Sequence, residues 1–226
     1  MSMGVLLVAC VGIVLQGIFI AVEHKEKYTL AVVLKGLASI CFVWIGLQAY
    51  MGVCGDSYSR MVLLGLAFGA LGDILLNLRF VFESIGQKIF LAGIAAFFTG
   101  HILYLVALIP FSQNLWLCLG LGAVAAAALL WVIFSRLQVK PAFKIFGIFY
   151  IGAIVMMTAV AIGNYVAWQT TGRLLYVIGA VLFTISDVVL IFNTFGSESR
   201  FSMRITNLSC YYAGQLLIAF SLFFVI

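Results

Sequence analysis

Eight apolar runs of about twenty residues, joined by connections too short to fold alone, leave this chain one kind of solvent to fold in. An α-helix needs about 20 apolar residues to cross the hydrocarbon core of a bilayer. The runs fall near 3–22, 28–50, 60–79, 88–109, 113–134, 142–164, 173–194 and 203–225. They are continuous rather than alternating, which argues against a β-barrel. Across 226 residues the chain is 65% hydrophobic and 8% charged, a balance foreign to soluble domains. The expected fold is an all-α membrane protein, a bundle of eight transmembrane helices forming a single membrane-embedded domain over 1–226.

The net charge of +5 reads as topology rather than as a nucleic-acid footprint. Loops following the odd-numbered spans hold Lys25, Lys27, Arg79, Lys88, Arg136, Lys140, Lys144, Arg200 and Arg204, against Arg60 and Arg173 on the other side. This bias predicts cytoplasmic basic loops and both termini non-cytoplasmic. No basic residue precedes the first run, and its positive charge follows it in Glu23-His24-Lys25-Glu26-Lys27. That order fits a retained span better than a cleaved leader. A compact chain without targeting extensions suggests a multi-pass protein of a bacterial inner (cytoplasmic) membrane. The cysteines (Cys10, Cys41, Cys54, Cys118, Cys210) are scattered and lack CxxC spacing, so neither a disulfide framework nor a zinc site is expected.

The chain also repeats itself. Adding 114 carries Gly65 to Gly179, Asp73 to Asp187, Gly100 to Gly214 and His101 to Gln215, and the interval from Asp to His or Gln is 28 residues in both copies. Repeat halves near 1–112 and 113–226 would each hold four spans. An even number predicts two parallel repeats about an axis along the membrane normal, placing Asp73 and Asp187 at one depth on opposite sides of a central cavity. Both aspartates interrupt apolar runs, where an ionisable group is costly and marks a functional candidate.

Other polar residues in the spans gather around this pair. Gly65, Gly69, Asp73 and Asn77 recur at four-residue spacing, so one face of the third span joins close helix packing to a carboxylate. Lys35 sits about 12 Å into the second span. It either snorkels to the cytoplasmic edge or turns inward to meet a carboxylate. His101 lies about 20 Å into the fourth span, on a stripe with Phe97 and Tyr104, and is readable as a packing residue or as a site residue. Tyr150 stands at a depth where its hydroxyl can reach a carboxylate, and aromatic packing is the other reading. Ser186, Tyr211 and Gln215 complete the second copy.

Two facing aspartates in a low-dielectric site do not both ionise comfortably, and a nearby lysine would hold one of them charged. The result is an acid beside a base, suited to hydrolysis. A proton-coupled small-molecule or lipid transporter uses the same residue types, and a purely structural Asp–Lys–Asp cluster is a third reading. Asp73, Asp187 and His101 could converge on a metal, but one intramembrane histidine makes that the weaker reading, and no metal and no cofactor are expected. Gly-rich phosphate loops and nucleic-acid motifs are absent from the sequence.

The motifs Gly72-Asp73-Ile74-Leu75-Leu76, Phe97-x3-His101-x2-Tyr104, Gly179-x3-Phe183-x2-Ser186-Asp187 and Tyr211-Tyr212-x2-Gln215 resemble the lysoplasmalogenase (YhhN-like) family of integral membrane proteins. The resemblance runs from Lys35 to Gln215. It departs from the family where Gly36 and Leu37 follow the lysine, since a proline often does. What the resemblance implies is hydrolysis of the vinyl-ether bond of lysoplasmalogens to a fatty aldehyde and glycerophosphoethanolamine or glycerophosphocholine. It makes Asp73 and Asp187 the catalytic pair, and Lys35, Asn77, His101, Tyr104, Tyr150, Ser186, Tyr211 and Gln215 are the residues of this sequence expected to bind substrate or orient the site. The basic edge at Arg79, Lys140 or Lys144 would attract the lipid phosphate. The expected partners are this lysophospholipid and the surrounding membrane lipids, with no nucleic acid and a homo-oligomer left open.

Overall fold

The computed structural model describes residues 2–52, 55–138 and 141–224. Among them the secondary structure is helical: α1 (Met3–His24), α2 (Tyr28–Gly52), α3 (Ser57–Leu78), α4 (Gly86–Leu108), α5 (Leu115–Arg136), α6 (Pro141–Ala167), α7 (Thr171–Phe195) and α8 (Phe201–Ser221). Two short 3₁₀ turns, Glu83–Ile85 and Ile109–Phe111, flank α4, and the second forms where Pro110 stops the α-helix. Cys54 and Lys140 lie outside the described residues.

The first seven helices are long and apolar enough to cross a membrane, which makes this a multi-pass integral membrane protein. In α8, 21 residues long, Asn207, Tyr211, Tyr212 and Gln215 are buried. These inward polar groups leave it less apolar than the other seven. Outward faces of α1 and α5 carry Leu7, Val14, Trp116, Leu121, Val124 and Trp131, all well exposed. In water such a surface would drive association. Against lipid it is the ordinary exterior of a helix whose backbone groups are bonded internally.

Local chemistry fixes where several helices begin. Asp56 caps α3, its carboxylate accepting from the Ser59 backbone N–H at 2.7 Å and from the Ser59 hydroxyl. Thr170 caps α7 by accepting from the Arg173 N–H at 3.3 Å. Arg173 turns back to donate to the Asn164 and Trp168 carbonyls, at 3.2 and 3.5 Å. It thereby supplies donors that the last turn of α6 lacks.

The chain divides into two compact units, Met1–Leu103 and Tyr104–Ile226, with the boundary inside α4. In the first, α1 packs on α2 and α2 on α3. A Cβ built on Gly100 would come within 3.0 Å of the Gly65 carbonyl oxygen, and one on Gly72 within 2.6 Å of the Phe97 ring. In the second, α5 packs on α6, α6 on α7 and α7 on α8. There a Cβ on either Gly179 or Gly214 would lie 2.8 Å from the other's carbonyl oxygen. These two glycine pairs are related by the 114-residue offset, and each lets two helix backbones close on one another as small residues do in membranes. A core of Ala126, Ile151 and Val155, with Leu129, Leu130, Tyr150 and Ile191 against it, ties α5, α6 and α7 together one turn from Asp187.

Candidate functional site

In the first unit a polar cluster is built around Asp73, 1% exposed on α3. Lys35 reaches it from α2 and is itself 2% exposed, so its side chain turns inward rather than snorkelling. Its Nζ lies 3.2 Å from Asp73 Oδ1 and donates to Asn77 Oδ1 at 3.3 Å. The same ammonium stands 5.5 Å from the centre of the Phe19 ring of α1. Two charges in so dry a place are tolerated when they are paired and further hydrogen-bonded, because desolvation costs several kcal/mol per ion. Ser39, one turn after Lys35 on α2, supplies such a bond: its Oγ is 2.6 Å from Asp73 Oδ2 and 2.9 Å from the Lys35 carbonyl oxygen.

Asn77 lies one turn below Asp73, toward the end of α3. Its Nδ2 donates to Glu23 Oε1 of α1 at 3.1 Å while its Oδ1 faces Lys35. Because an ammonium only donates and a carboxylate only accepts, this pairing fixes which way the amide points. The row Glu23–Asn77–Lys35–Asp73–Ser39 therefore crosses three helices without a repeated donor or acceptor facing its own kind.

Asp187, 4% exposed on α7, has a different partner. Tyr150 of α6 donates its phenol to Asp187 Oδ2 at 2.7 Å. Next to it, Ser186 is fully buried, and both its carbonyl and its hydroxyl oxygen accept from Asn207 Nδ2 of α8, at 2.9 and 2.8 Å. That pair of hydrogen bonds locks α7 to α8 beside the carboxylate. Tyr104, Tyr211 and Gln215 form a second polar group in this unit. The Tyr104 hydroxyl donates to Gln215 Oε1 at 2.8 Å, and Gln215 Nε2 donates to the Tyr211 oxygen at 3.3 Å. Tyr211 also meets Phe183 edge-on, with centroids 5.2 Å apart. Gln215 is thereby oriented by two tyrosines.

His101 is buried in the first unit and donates from Nδ1 to the Phe97 carbonyl of its own helix at 2.7 Å. Of the basic residues at the expected cytoplasmic edge, Arg79 lies between two rings, 4.5 Å from the centres of both Phe80 and Phe90. Lys144 stands 5.7 Å from the Phe134 ring. Among the described residues no three His, Cys, Asp or Glu side chains gather as a metal centre would need.

Sequence reasoning missed Glu23, Ser39 and Asn207. Ser39 carried a usable signal, since it stands four residues after Lys35 and so shares its helix face. Glu23 and Asn207 carried none: Glu23 sits in a charged run that reads as a solvated turn, and Asn207 replaces Gly93 of the other repeat.

The model of the YhhN family matches residues 30–222. The lysoplasmalogenase TMEM86B of Rattus norvegicus is 31% identical over 169 residues, 74% of this chain and 63% of the rat protein. Its counterpart of the same name in Mus musculus is 30% identical over 188 residues, 82% of this chain and 70% of the mouse protein. The chain thus spans a little under two thirds of the rat relative's length. No solved structure matches it.

Proposed function

The chain belongs to the YhhN family, and from that we propose that it is a membrane hydrolase cleaving the vinyl-ether bond of lysoplasmalogens by general acid/base catalysis, with Asp73 and Asp187 as the two carboxylates. Its products are a fatty aldehyde and glycerophosphoethanolamine or glycerophosphocholine. The reading is carried by one observation: each unit buries one aspartate of the repeated motif against a dedicated hydrogen-bond donor on a neighbouring helix. The relatives that bear the name lysoplasmalogenase agree with it.

Vinyl ethers resist base but hydrolyse once the alkene carbon is protonated, because the ether oxygen then shares the positive charge as an oxocarbenium ion. One carboxylic acid supplies that proton, and the other carboxylate stabilises the cation and takes a proton from the attacking water. The pair works as the two carboxylates of a glycosidase do. The hemiacetal that results collapses to aldehyde and alcohol. A tail among the apolar side chains and a phosphate at the basic edge suit a substrate that is itself a membrane lipid.

Purified protein given ethanolamine or choline lysoplasmalogen in mixed micelles is expected to release free aldehyde in proportion to enzyme and time. Chelators are expected to leave the rate unchanged. Protein that releases no aldehyde from either lipid, but carries an unmodified solute into liposomes with dependence on a proton gradient, would establish the transporter reading instead.

A further inference from the structure

Ser39 has one hydroxyl hydrogen, and the acceptors within its reach include Asp73 Oδ2 at 2.6 Å and the carbonyl oxygen of Lys35 at 2.9 Å. A hydroxyl donates once and accepts with its lone pairs. When Asp73 is a carboxylate, the hydrogen points to Oδ2, and the Lys35 carbonyl is left with its ordinary helix bond. When Asp73 carries a proton, the carboxyl O–H donates to Ser39 Oγ, and the Ser39 hydrogen turns to the Lys35 carbonyl. Both states keep the 2.6 Å contact bonded, at the cost of one hydroxyl rotation. Lys35 Nζ lies 3.2 Å from the other carboxylate oxygen, so Asp73 is the aspartate with a cation beside it. Among the described residues the ionisable groups seen to join this cluster are Lys35 on α2 and Glu23 on α1, which reaches it through Asn77, while buried His101 on α4 bonds to its own helix.

We infer that Ser39 is a positioning residue whose hydroxyl turns as Asp73 takes up and returns a proton, which makes Asp73 the base of the reaction and Asp187 the acid. The inference rests on the hydrolase reading above. In the first step Asp187 gives its proton to the alkene carbon, and the alkene electrons form the new C–H bond. Water then adds to the oxocarbenium carbon while one of its protons passes to Asp73. On collapse of the hemiacetal, protonated Asp73 gives that proton to the leaving glycerol oxygen, the C–O bond breaks, and the hemiacetal hydroxyl proton goes to Asp187. One water is consumed, and both carboxyl groups end as they began. Tyr150, donating to Asp187 Oδ2, holds the acid in place throughout.

The test is steady-state aldehyde release by the full-length parent, Ser39→Ala and Ser39→Thr, with thermal unfolding in the same detergent measured alongside. A hydrogen bond to a charged group sets the expected scale, a drop in kcat of about ten- to a hundredfold for Ser39→Ala. Its KM is expected to stay close to the parent value, and Ser39→Thr, which keeps the hydroxyl, is expected to recover most of the turnover. An unchanged kcat in Ser39→Ala overturns the inference and leaves the hydrolase reading standing. Equal losses in the alanine and threonine variants also overturn it, by assigning Ser39 to packing. A parent that releases no aldehyde overturns the hydrolase reading, and this inference with it.

Discussion

Asp73→Asn and Asp187→Asn are each expected to lower aldehyde release by about a hundred- to ten-thousand-fold, the range that one positioned acid or base contributes. The substitution is nearly isosteric, so it removes proton-transfer capacity while leaving the side chain's shape. At position 73 the Asn carbonyl still accepts from Ser39, which keeps local geometry close to the parent. At position 187 it still accepts from Tyr150. Groups that act as a unit are strongly non-additive, so the double variant is expected to be no slower than the slower of the two single ones. Initial rates with ethanolamine lysoplasmalogen in detergent micelles measure this. Variants that turn over at the parent rate would remove the aspartates from the chemistry, whatever their burial.

Lys35→Met is expected to have the largest effect on stability. It removes one member of an ion pair whose side chains are 3% and 2% exposed and leaves the Asp73 charge without its ammonium. Breaking a buried pair in this way costs about 3–5 kcal/mol. Replacing both members by uncharged groups removes the unpaired charge, so Lys35→Met with Asp73→Asn is expected to regain most of the lost stability. Activity is not expected to return with it. Unfolding by added SDS, followed for the parent, both single variants and the double variant, gives the coupling directly. A Lys35→Met protein as stable as the parent would mean that the pair contributes nothing to holding α2 against α3.

Much of this architecture is legible in the sequence because a bilayer permits few solutions. A run of about twenty apolar residues in lipid has to satisfy its own backbone, and helices do so. The helix positions consequently follow the apolar runs to within a few residues. The glycines at 65, 100, 179 and 214 are legible for a related reason, since small residues at a repeated interval mark where backbones close. What the sequence withholds is rotation about the helix axis. Lys35 is equally able, by depth alone, to snorkel or to turn inward, and its choice depends on Asp73 and Asn77 being presented by α3. The link from Asn77 to Glu23 spans 54 residues and belongs to no local pattern. Asn207 stands in the same position: its hold on Ser186 exists only once α8 lies on α7. In α8 the buried polar residues Asn207, Tyr211, Tyr212 and Gln215 are the same ones that weaken its apolar signal.

The measurement that bears most directly on a carboxyl-catalysed vinyl-ether hydrolysis is the isotope content of the aldehyde made in heavy water. Protonation of the alkene carbon by a solvent-exchanged carboxyl group places one deuterium on the carbon next to the carbonyl, and early-time product analysed by mass spectrometry is expected to carry it. Deuterium on one face of that carbon is the expected result, and deuterium spread over both faces would contradict delivery by a fixed carboxyl group, and with it the role given to the buried aspartates.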